Sequence, residues 1–397
     1  MNEGAVDLLR RLLASAERVS KRRPVLPITR GRAPEYFGLT DRGDREPVLA
    51  NLEQVEAIGA VRLEWLREGS RDLERIRLKD ADRLAAYLGQ ERAGDKAARI
   101  EGRVGPLMTT APDWLREAWN EAVGKWRRGE TAFSFSADQG DQIEQLFRLA
   151  LGVSRGVHEG QPPRRFSAEQ VGDPKALERL QGRLAFLLRR DPRLADLESG
   201  EDVFRTLGLD RTPPPLFLRG AVEIRGNSGW QSLAPYRPFV ALDPGAIHEV
   251  KLLETPSYLL SIETLDGFQR QVRDVDDRGL VIWVGGVPGP GCRRLLARLD
   301  QVLPAEVPAF HWGNSTLAGI RALAKLSQAF QCHPLRPHLM NGSRDPEARP
   351  FGPQERQGLE KLVEEGGVAG QLAARWLEQA SRPEEQEQQD PRAPLLS

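Results

Sequence analysis

The sequence predicts a multidomain α+β fold: a helical, hairpin-bearing first half followed by an α/β domain with a parallel sheet. Three observations predict it. The chain has 397 residues, more than a single hydrophobic core serves well. In the first half, apolar residues recur mainly on the helical period, interrupted by one pair of alternating runs that read as strands. From about residue 215 the pattern changes to short apolar runs alternating with helices of ten to fifteen residues, the signature of parallel strands with right-handed crossovers.

Composition narrows the classes. Apolar residues make up 40% and charged residues 29% of the chain, which fits a globular protein rather than a disordered one. Lys plus Arg and Asp plus Glu each number 57, so no net field draws the molecule to nucleic acid, and DNA contact has to rest on local basic patches. Cys292 and Cys332 lie far apart without a metal-ligand spacing, and the N-terminus lacks an apolar signal core; both predict a reducing cytoplasm. No apolar run approaches the roughly 20 residues of a membrane span.

Taken in order, the chain opens with an amphipathic helix carrying Leu8, Leu9, Leu12 and Leu13 on one face. A basic segment follows, with Lys21, Arg22, Arg23, Arg30 and Arg32, suited either to phosphate contact or to a solvated linker. "EPVLANLEQVEAIG" places Val48, Leu49, Leu52, Val55 and Ile58 on a helical period and stops at Gly59. "AVRLEW" and "LERIRL" alternate around the turn "LREGSRD", and "KDADRLAAYL" returns to helix. Helix, strand, wing, strand, helix is the outline of a winged-helix module. Its wing carries Arg67, Arg71 and Arg75, which suits a minor-groove or backbone contact, and the same module serves equally in protein contact.

Residues 95 to 200 read as mainly helical, with Trp114, Trp119 and Trp126 as core aromatics. A helix is predicted from about Pro174, capped by Asp173. Beyond it, "PLFLRGAVEI", "PFVALDPGAIHEV", "SYLLSIET", "GLVIWVGG" and "VPAFHWG" are strands, the last three separated by helices. "GGVPGPG" lacks the lysine and spacing of a phosphate loop and reads as a strand-to-helix turn. The ends of the last three strands deliver Glu263, Gly285 with Gly286, and Asn314 with Thr316 to a common rim, where open α/β sheets place their chemistry. The stretch 382–397, glutamine-rich and broken by proline, predicts a disordered tail.

A glutamate closing one strand and an acid-x-acid pair closing a later one form the metal site of TOPRIM domains, whose carboxylates hold Mg²⁺ against DNA phosphates. Glu263 in "SIETLDGF" fits the first position. The chain order then resembles the JetD nuclease subunits of Wadjet plasmid-defence systems and the related MksG proteins. The resemblance runs through nearly the whole chain: the winged-helix outline at 48–88, "FSAEQVGDPKALERL" like the family's "fgDSK" helix, "VFRTLGLDRTPPPLFLRGAVEI" leading into the sheet, "SIETLDGF" like "ENxxxF", "WVGG", "HWGN" like "WGDxDxxG", and "RWLEQA" like "LEQE". Each piece is short; their order and spacing carry the likeness.

The resemblance implies a homodimeric, cytoplasmic DNA-binding protein related in plan to the topoisomerase VI A subunit. Its domains are then an N-terminal arm with a winged helix (1–95), a mainly helical middle with a second winged-helix-like element (96–235), a TOPRIM-like domain (236–380) and the disordered tail (381–397). In that family an SMC–kleisin complex presents plasmid DNA, and this subunit cuts it with Mg²⁺ or Mn²⁺. Carried over by position, the metal-site glutamate is Glu263, the two aspartates become Asn314 and Thr316, and of the "LEQE" acids Glu378 remains while Ala380 replaces the second. From the basic segment, the wing and the later helix, the residues expected to face DNA are Arg22, Arg23, Arg67, Arg71, Arg75 and Lys175. Losing two carboxylates removes most of the anionic field that offsets dehydration of a small divalent cation, so the expectation is a DNA-binding subunit with weak or lost nuclease activity.

Two other functions stay open at this point. One is an active metal-dependent endonuclease using displaced acids, with Asp266, Asp274, Asp276, Asp277 and Glu306 as candidates. The other is an architectural winged-helix DNA-binding protein without an SMC partner. Tyr36, Tyr87, Tyr236 and Tyr258 have no evident activating neighbour for transesterification. His311 reads as a ring hydrogen-bonded in the sheet's flank or a phosphate donor, and His333 with His338 as a spacing poor for zinc.

Overall fold

The structure is a computed structural model that describes residues 2–18, 24–37, 42–67, 69–197, 199–211, 213–340, 350–379, 386 and 389–395. Arg22, Arg23 and Ala380 lie outside the described residues. The fold is mixed α/β, with a sheet that combines parallel and antiparallel strands. Contacts divide the chain into two units, one of residues 1–155 with 167–191 and the other of residues 156–166 with 192–397. The sequence boundaries at 95 and 235 each fall inside one of these units.

In the first unit, α1 (Glu3–Arg18), β1 (Val25–Pro27), α2 (Pro34–Phe37), α3 (Arg42–Ala57), β2 (Val61–Trp65), β3 (Leu73–Leu78) and α4 (Ala81–Tyr87) follow in order. The strands form an antiparallel sheet, β1-β3-β2. Its apolar face and the helices share one core in which Leu8, Leu12, Leu52, Val55, Ile76 and Leu84 are fully buried. Gly59 ends the α3 segment with φ +76°, a left-handed residue that glycine adopts without steric cost. Asp80 caps α4, accepting from the backbone of Asp82 and Arg83. Ile58, on the predicted apolar period, is instead 43% exposed.

The same unit continues through α5 (Ala93–Met108), α6 (Asp113–Arg127), α7 (Gly140–Ser154) and α9 (Ala176–Leu188), while α8 (Pro163–Val171) straddles the division between units. Trp119 meets Trp126 and Phe147 edge-on, at ring-centroid distances of 5.8 and 4.9 Å, and the Trp126 indole donates to the Phe135 carbonyl. Trp119 and Trp126 are core, as their spacing predicts, while Trp114 is only half-buried. The helix expected from Pro174 begins two residues later, because Asp173 spends its carboxylate on the Lys175 amide and on Arg179 in a turn before the helix.

The second unit contains α10 (Gly200–Leu207), β4 (Leu216–Arg219), β5 (Val222–Gly226), β6 (Gly229–Ser232), β7 (Val240–Leu242), β8 (Glu249–Leu252), β9 (Leu259–Ile262), α11 (Leu265–Asp274), β10 (Leu280–Trp283), α12 (Pro290–Val302), β11 (Ala309–Trp312), α13 (Leu317–Ser327), β12 (Leu335–Pro337), α14 (Pro353–Glu365) and α15 (Gly367–Gln379). The main sheet runs β12-β11-β9-β10-β4-β7, parallel across its first four strands and antiparallel at β4 and β7. A second sheet, β6-β5-β8, is antiparallel. The runs "PLFLRGAVEI" and "PFVALDPGAIHEV", each read as one strand, are therefore each divided between two sheets. The first breaks at Gly220, where a Cβ would sit 2.4 Å from Leu280.

Both faces of the parallel strands are buried, as crossover helices require. Leu259, Ile282 and Ala309 face a core shared with α12, α13, α14 and α15. Leu260, Ile262, Phe310 and Trp312 face the other way, onto Phe268 and Val272 of α11. Of the stretch 381–397, expected to be a disordered tail, residues 386 and 389–395 are described, and among them Gln386 and Pro394 are buried, Gln386 accepting the Thr264 amide and donating to the Trp312 carbonyl. No helix among the described residues is long and apolar enough to cross a membrane.

Candidate functional site

The parallel register sets Ile262, Trp283 and Trp312 abreast at the carboxyl ends of β9, β10 and β11. Everything that follows them therefore opens on one rim. After β9 comes Glu263, then Thr264, which caps α11 by accepting from the Gly267 amide at 3.1 Å. After β11 come Gly313, Asn314 and Ser315, then Thr316, which caps α13 by accepting from the Gly319 amide, also at 3.1 Å. Thr316 is thus committed to holding a helix end. An aspartate caps a helix equally well, so the corner's shape does not depend on whether this position carries a charge.

Glu263 and Asn314 meet. The Asn314 backbone amide donates to Glu263 Oε2 at 2.7 Å, and its side-chain Nδ2 donates to Oε1 at 3.1 Å. A carboxylate only accepts, so this contact orients the amide with its NH₂ toward the glutamate and its carbonyl away. Both carboxylate oxygens thereby face N–H donors, which supply the positive charge density that a cation supplies in an acid-rich site. Arg205, whose Nε pairs with Asp210 at 3.8 Å, also reaches the rim. Its Nη1 donates to the Gly285 carbonyl at 2.7 Å and lies 3.9 Å from where a Cβ on Gly286 would stand, with Glu263 Oε1 4.0 Å from that same point.

A divalent metal does not fit this set. One carboxylate, already bonded through both oxygens, and a capping hydroxyl lack the several anionic oxygens that Mg²⁺ or Mn²⁺ requires. Among the described residues, no group of three or more His, Cys, Asp or Glu side chains is placed to hold a metal ion. Glu378 is exposed on α15. Of the displaced acids, Asp274, Asp276, Asp277 and Glu306 precede β10 or β11 and so lie at the end of the sheet opposite the rim. Asp277 is also engaged: it pairs with the buried Arg219 at 2.6 Å and accepts from the Tyr258 hydroxyl at 2.5 Å. Burial, and then the Asp277 carboxylate, push the Tyr258 hydroxyl well above its usual range, so it is no nucleophile. Asp266 alone shares the rim's end, exposed in the first turn of α11.

The histidines serve structure. His311 is fully buried beneath the rim, its Nδ1 2.9 Å from Ser261 Oγ and its Nε2 without a hydrogen-bond partner. Burial pulls it down to about 3, so the ring is neutral. His333 joins Asp300, which also accepts the backbone amides of Gln331, Cys332 and His333. His338 Nε2 lies 3.1 Å from the Arg392 carbonyl, and burial pulls that ring down to about 4.

The basic residues of the first unit are distributed differently from what their sequence suggests. Arg71 pairs with Glu46, Arg75 with Glu74 and Glu64, and Arg77 with Glu64. The Arg77 hydrogen bond leads in holding the Glu64 carboxyl below its usual range. Arg67 and Lys175 are exposed. These pairs are solvent-exposed, so water and salt screen them strongly.

Sequence reasoning missed Arg205, Thr264 and Gln386, and it read Thr316 as the counterpart of a metal-site aspartate without seeing its role as a helix cap. The threonines had a legible signal, because Thr-Leu-x-Gly recurs at 264–267 and 316–319. Gln386 had none.

Comparison with known proteins reaches only the first of the two regions just described. Residues 43–189 match the model of a family described as "Uncharacterized protein conserved in bacteria N-term (DUF3322)". The match covers the hairpin and the helices through α9 and stops before the sheet that bears Glu263. No curated protein matches the chain.

Proposed function

We propose that this protein is a DNA-binding subunit of the JetD/MksG type, acting with an SMC–kleisin complex against plasmid DNA, in which a TOPRIM-like rim is retained and its metal site is lost. The helix–hairpin–helix order of the first unit supports the winged-helix reading. Three parallel strands ending abreast beneath Glu263 support the TOPRIM reading. The observation that carries the loss of the metal site is the double hydrogen bond from Asn314 to Glu263, which puts an amide where the family pattern has a carboxylate.

On this reading the rim binds and positions a duplex without cutting it. Arg205 and the exposed arginines offer charge to phosphates, and binding weakens steeply with salt. The test is nicking of supercoiled plasmid with Mg²⁺ or Mn²⁺. The natural sequence leaves the plasmid intact, whereas Asn314→Asp with Thr316→Asp creates or raises metal-dependent nicking. Nicking by the natural sequence that disappears in Glu263→Ala would establish the active-nuclease alternative instead.

A further inference from the structure

The turn between α6 and α7 is bent in a way its residues do not favour. Ala132 and Phe135 exchange backbone hydrogen bonds at 3.0 and 2.9 Å, so Phe133 and Ser134 form the tight link between them, at φ +51° and +59°. Left-handed backbone of this kind suits Gly or Asn and is rare for a bulky aromatic. It persists only where the surroundings over-determine it. Here Ala132 and Phe135 are buried, and the Phe135 carbonyl accepts the Trp126 indole at 3.0 Å. What the strain achieves is the placement of one ring. Phe133 stands edge-on to the buried Phe147 at a centroid distance of 5.8 Å and to Phe186 of α9 at 6.0 Å. Phe186 is 57% exposed, so the three rings lead from the core to the surface.

The surface they reach is basic. Lys175, Arg179, Arg183, Phe186 and Arg190 follow one another at intervals of four, four, three and four residues, which aligns them along one face of α9 and its two ends. Lys175, Arg179 and Arg190 are exposed, and the Arg183 guanidinium lies 4.3 Å from the centre of the Phe135 ring. Arg179 pairs with Asp173 at 2.6 Å and Arg190 with Glu121 at 3.2 Å. Arg189 extends the set and Glu178 is the one acid between Lys175 and Arg190, so with these partners counted the face stays net positive. An exposed ring set among cations is a poor seat for an apolar partner. Its complement carries negative charge and a flat π-face together, as nucleic acid with accessible bases does. Bases in a duplex are stacked on one another, whereas a single strand offers the face of each.

We propose that this face of α9, with the Phe133 turn behind it, binds single-stranded DNA, one base stacking on Phe186 and the neighbouring phosphates meeting Lys175, Arg179 and Arg190. The proposal rests on the reading of the protein as DNA-binding, and adds the form of DNA and the place on the chain that holds it. Phe133 is a positioning residue. It backs Phe186 before a base arrives, which lowers the ordering cost of binding.

The experiment measures anisotropy of labelled probes of about 12 nucleotides, within the span of a single-strand site: a single strand, the same strand in a duplex, and an abasic strand. The natural full-length chain binds the single strand and loses about tenfold or more in affinity when the bases are removed. Phe186→Ala weakens single-strand binding about tenfold, the worth of one stacked base, and leaves duplex binding unchanged. Phe186→Trp retains it, and the added indole is quenched as the strand binds. Phe133→Gly suits the left-handed backbone and so keeps the turn; it lowers single-strand affinity by a smaller factor while duplex affinity holds. Lys175→Ala with Arg190→Ala flattens the log–log salt slope of single-strand binding by about 0.7 per charge removed. Equal single-strand affinity in the natural chain and Phe186→Ala, or for intact and abasic strands, overturns the proposal. Binding of the duplex without the single strand overturns it and spares the DNA reading, and binding of neither overturns both. Self-association in sedimentation that Phe186→Ala abolishes, with single-strand affinity unchanged, assigns the face to a second copy of the chain instead.

Discussion

The corners after β9 and β11 are two copies of one design with different charge. Each strand end leads to a threonine that caps the next helix, and in each the cap accepts the amide of a glycine three residues on, at 3.1 Å. They differ in the linker. One residue, Glu263, separates Ile262 from its cap, while three, Gly313 to Ser315, separate Trp312 from its own. The longer linker folds Asn314 back over α13, so closely that a Cβ on Gly319 would lie 2.1 Å from the Asn314 carbonyl oxygen. That fold-back aims both Asn314 N–H groups at Glu263. The backbone shape of the site thus comes from caps, register and linker length, and is indifferent to whether the side chains at its tip carry the charge that metal chemistry needs.

The sharpest way to break this comparison is at the glycines. Gly319→Ala forces the Asn314 backbone aside and should cost about 3 kcal/mol or more in urea unfolding. At Gly267 the added Cβ would meet the Thr264 hydroxyl at 2.8 Å and the Gln386 amide at 3.1 Å, groups on side chains that give way, so the loss should be about 1–2 kcal/mol. Equal losses would show that the two linkers do not differ as described.

Asn314→Asp tests the charge difference directly. It replaces an amide donor with a second carboxylate against Glu263, and should lower stability at pH 7 by about 2 kcal/mol through the lost charge-assisted bond and the new repulsion. The deficit should shrink as acid protonates one carboxyl of the pair, and the urea midpoint at neutral and at acidic pH measures it. A variant as stable as the natural protein at pH 7 would mean that Asn314 is not holding the carboxylate.

Acid sharpens the comparison next, because His311 lies beneath the second corner and His338 beside the Arg392 carbonyl. Burial depresses both, to about 3 and about 4. The unfolded chain therefore binds more protons than the native one below the ordinary histidine value of about 6.5, and stability present above that value is lost as pH falls toward the folded values. Between about pH 6 and 4 each ring should remove about 1.4 kcal/mol per pH unit. Replacing His338 by Gln should flatten the slope by one ring's share.

The smallest effect is a test of sameness. Thr264→Ala and Thr316→Ala should each cost about 1 kcal/mol, as helix caps do. A much larger loss at Thr264 would mean that its corner depends on the contact with Gln386 and is no simple counterpart of the other.

Local pattern made a good part of this legible. The period of Leu8, Leu12, Leu52 and Val55 and the alternation around residues 66 to 72 announce helix and hairpin, since each depends only on residues close in sequence. The three apolar runs ending at Ile262, Trp283 and Trp312 announce parallel strands, and their shared rim follows from the handedness of the crossovers. The division of residues 216–226 between two sheets was not legible, because it is dictated by Leu280 closing on Gly220 from 60 positions away. Nor was the pairing of Arg71 and Arg75 with Glu46, Glu64 and Glu74, because a run of charges does not show which face its partners occupy.

By itself, then, the chain's order of residues determined that Glu263 stands at a strand end and that Asn314 and Thr316 stand at another, uncharged. Only the tertiary structure decided that Asn314 turns its donors onto Glu263, that Thr316 spends its hydroxyl on a helix end, and that Gln386, 122 residues from Thr264, closes the crevice between them. The reason is physical: a buried polar group must find a partner wherever one lies in space, and that constraint leaves no periodic trace along the chain.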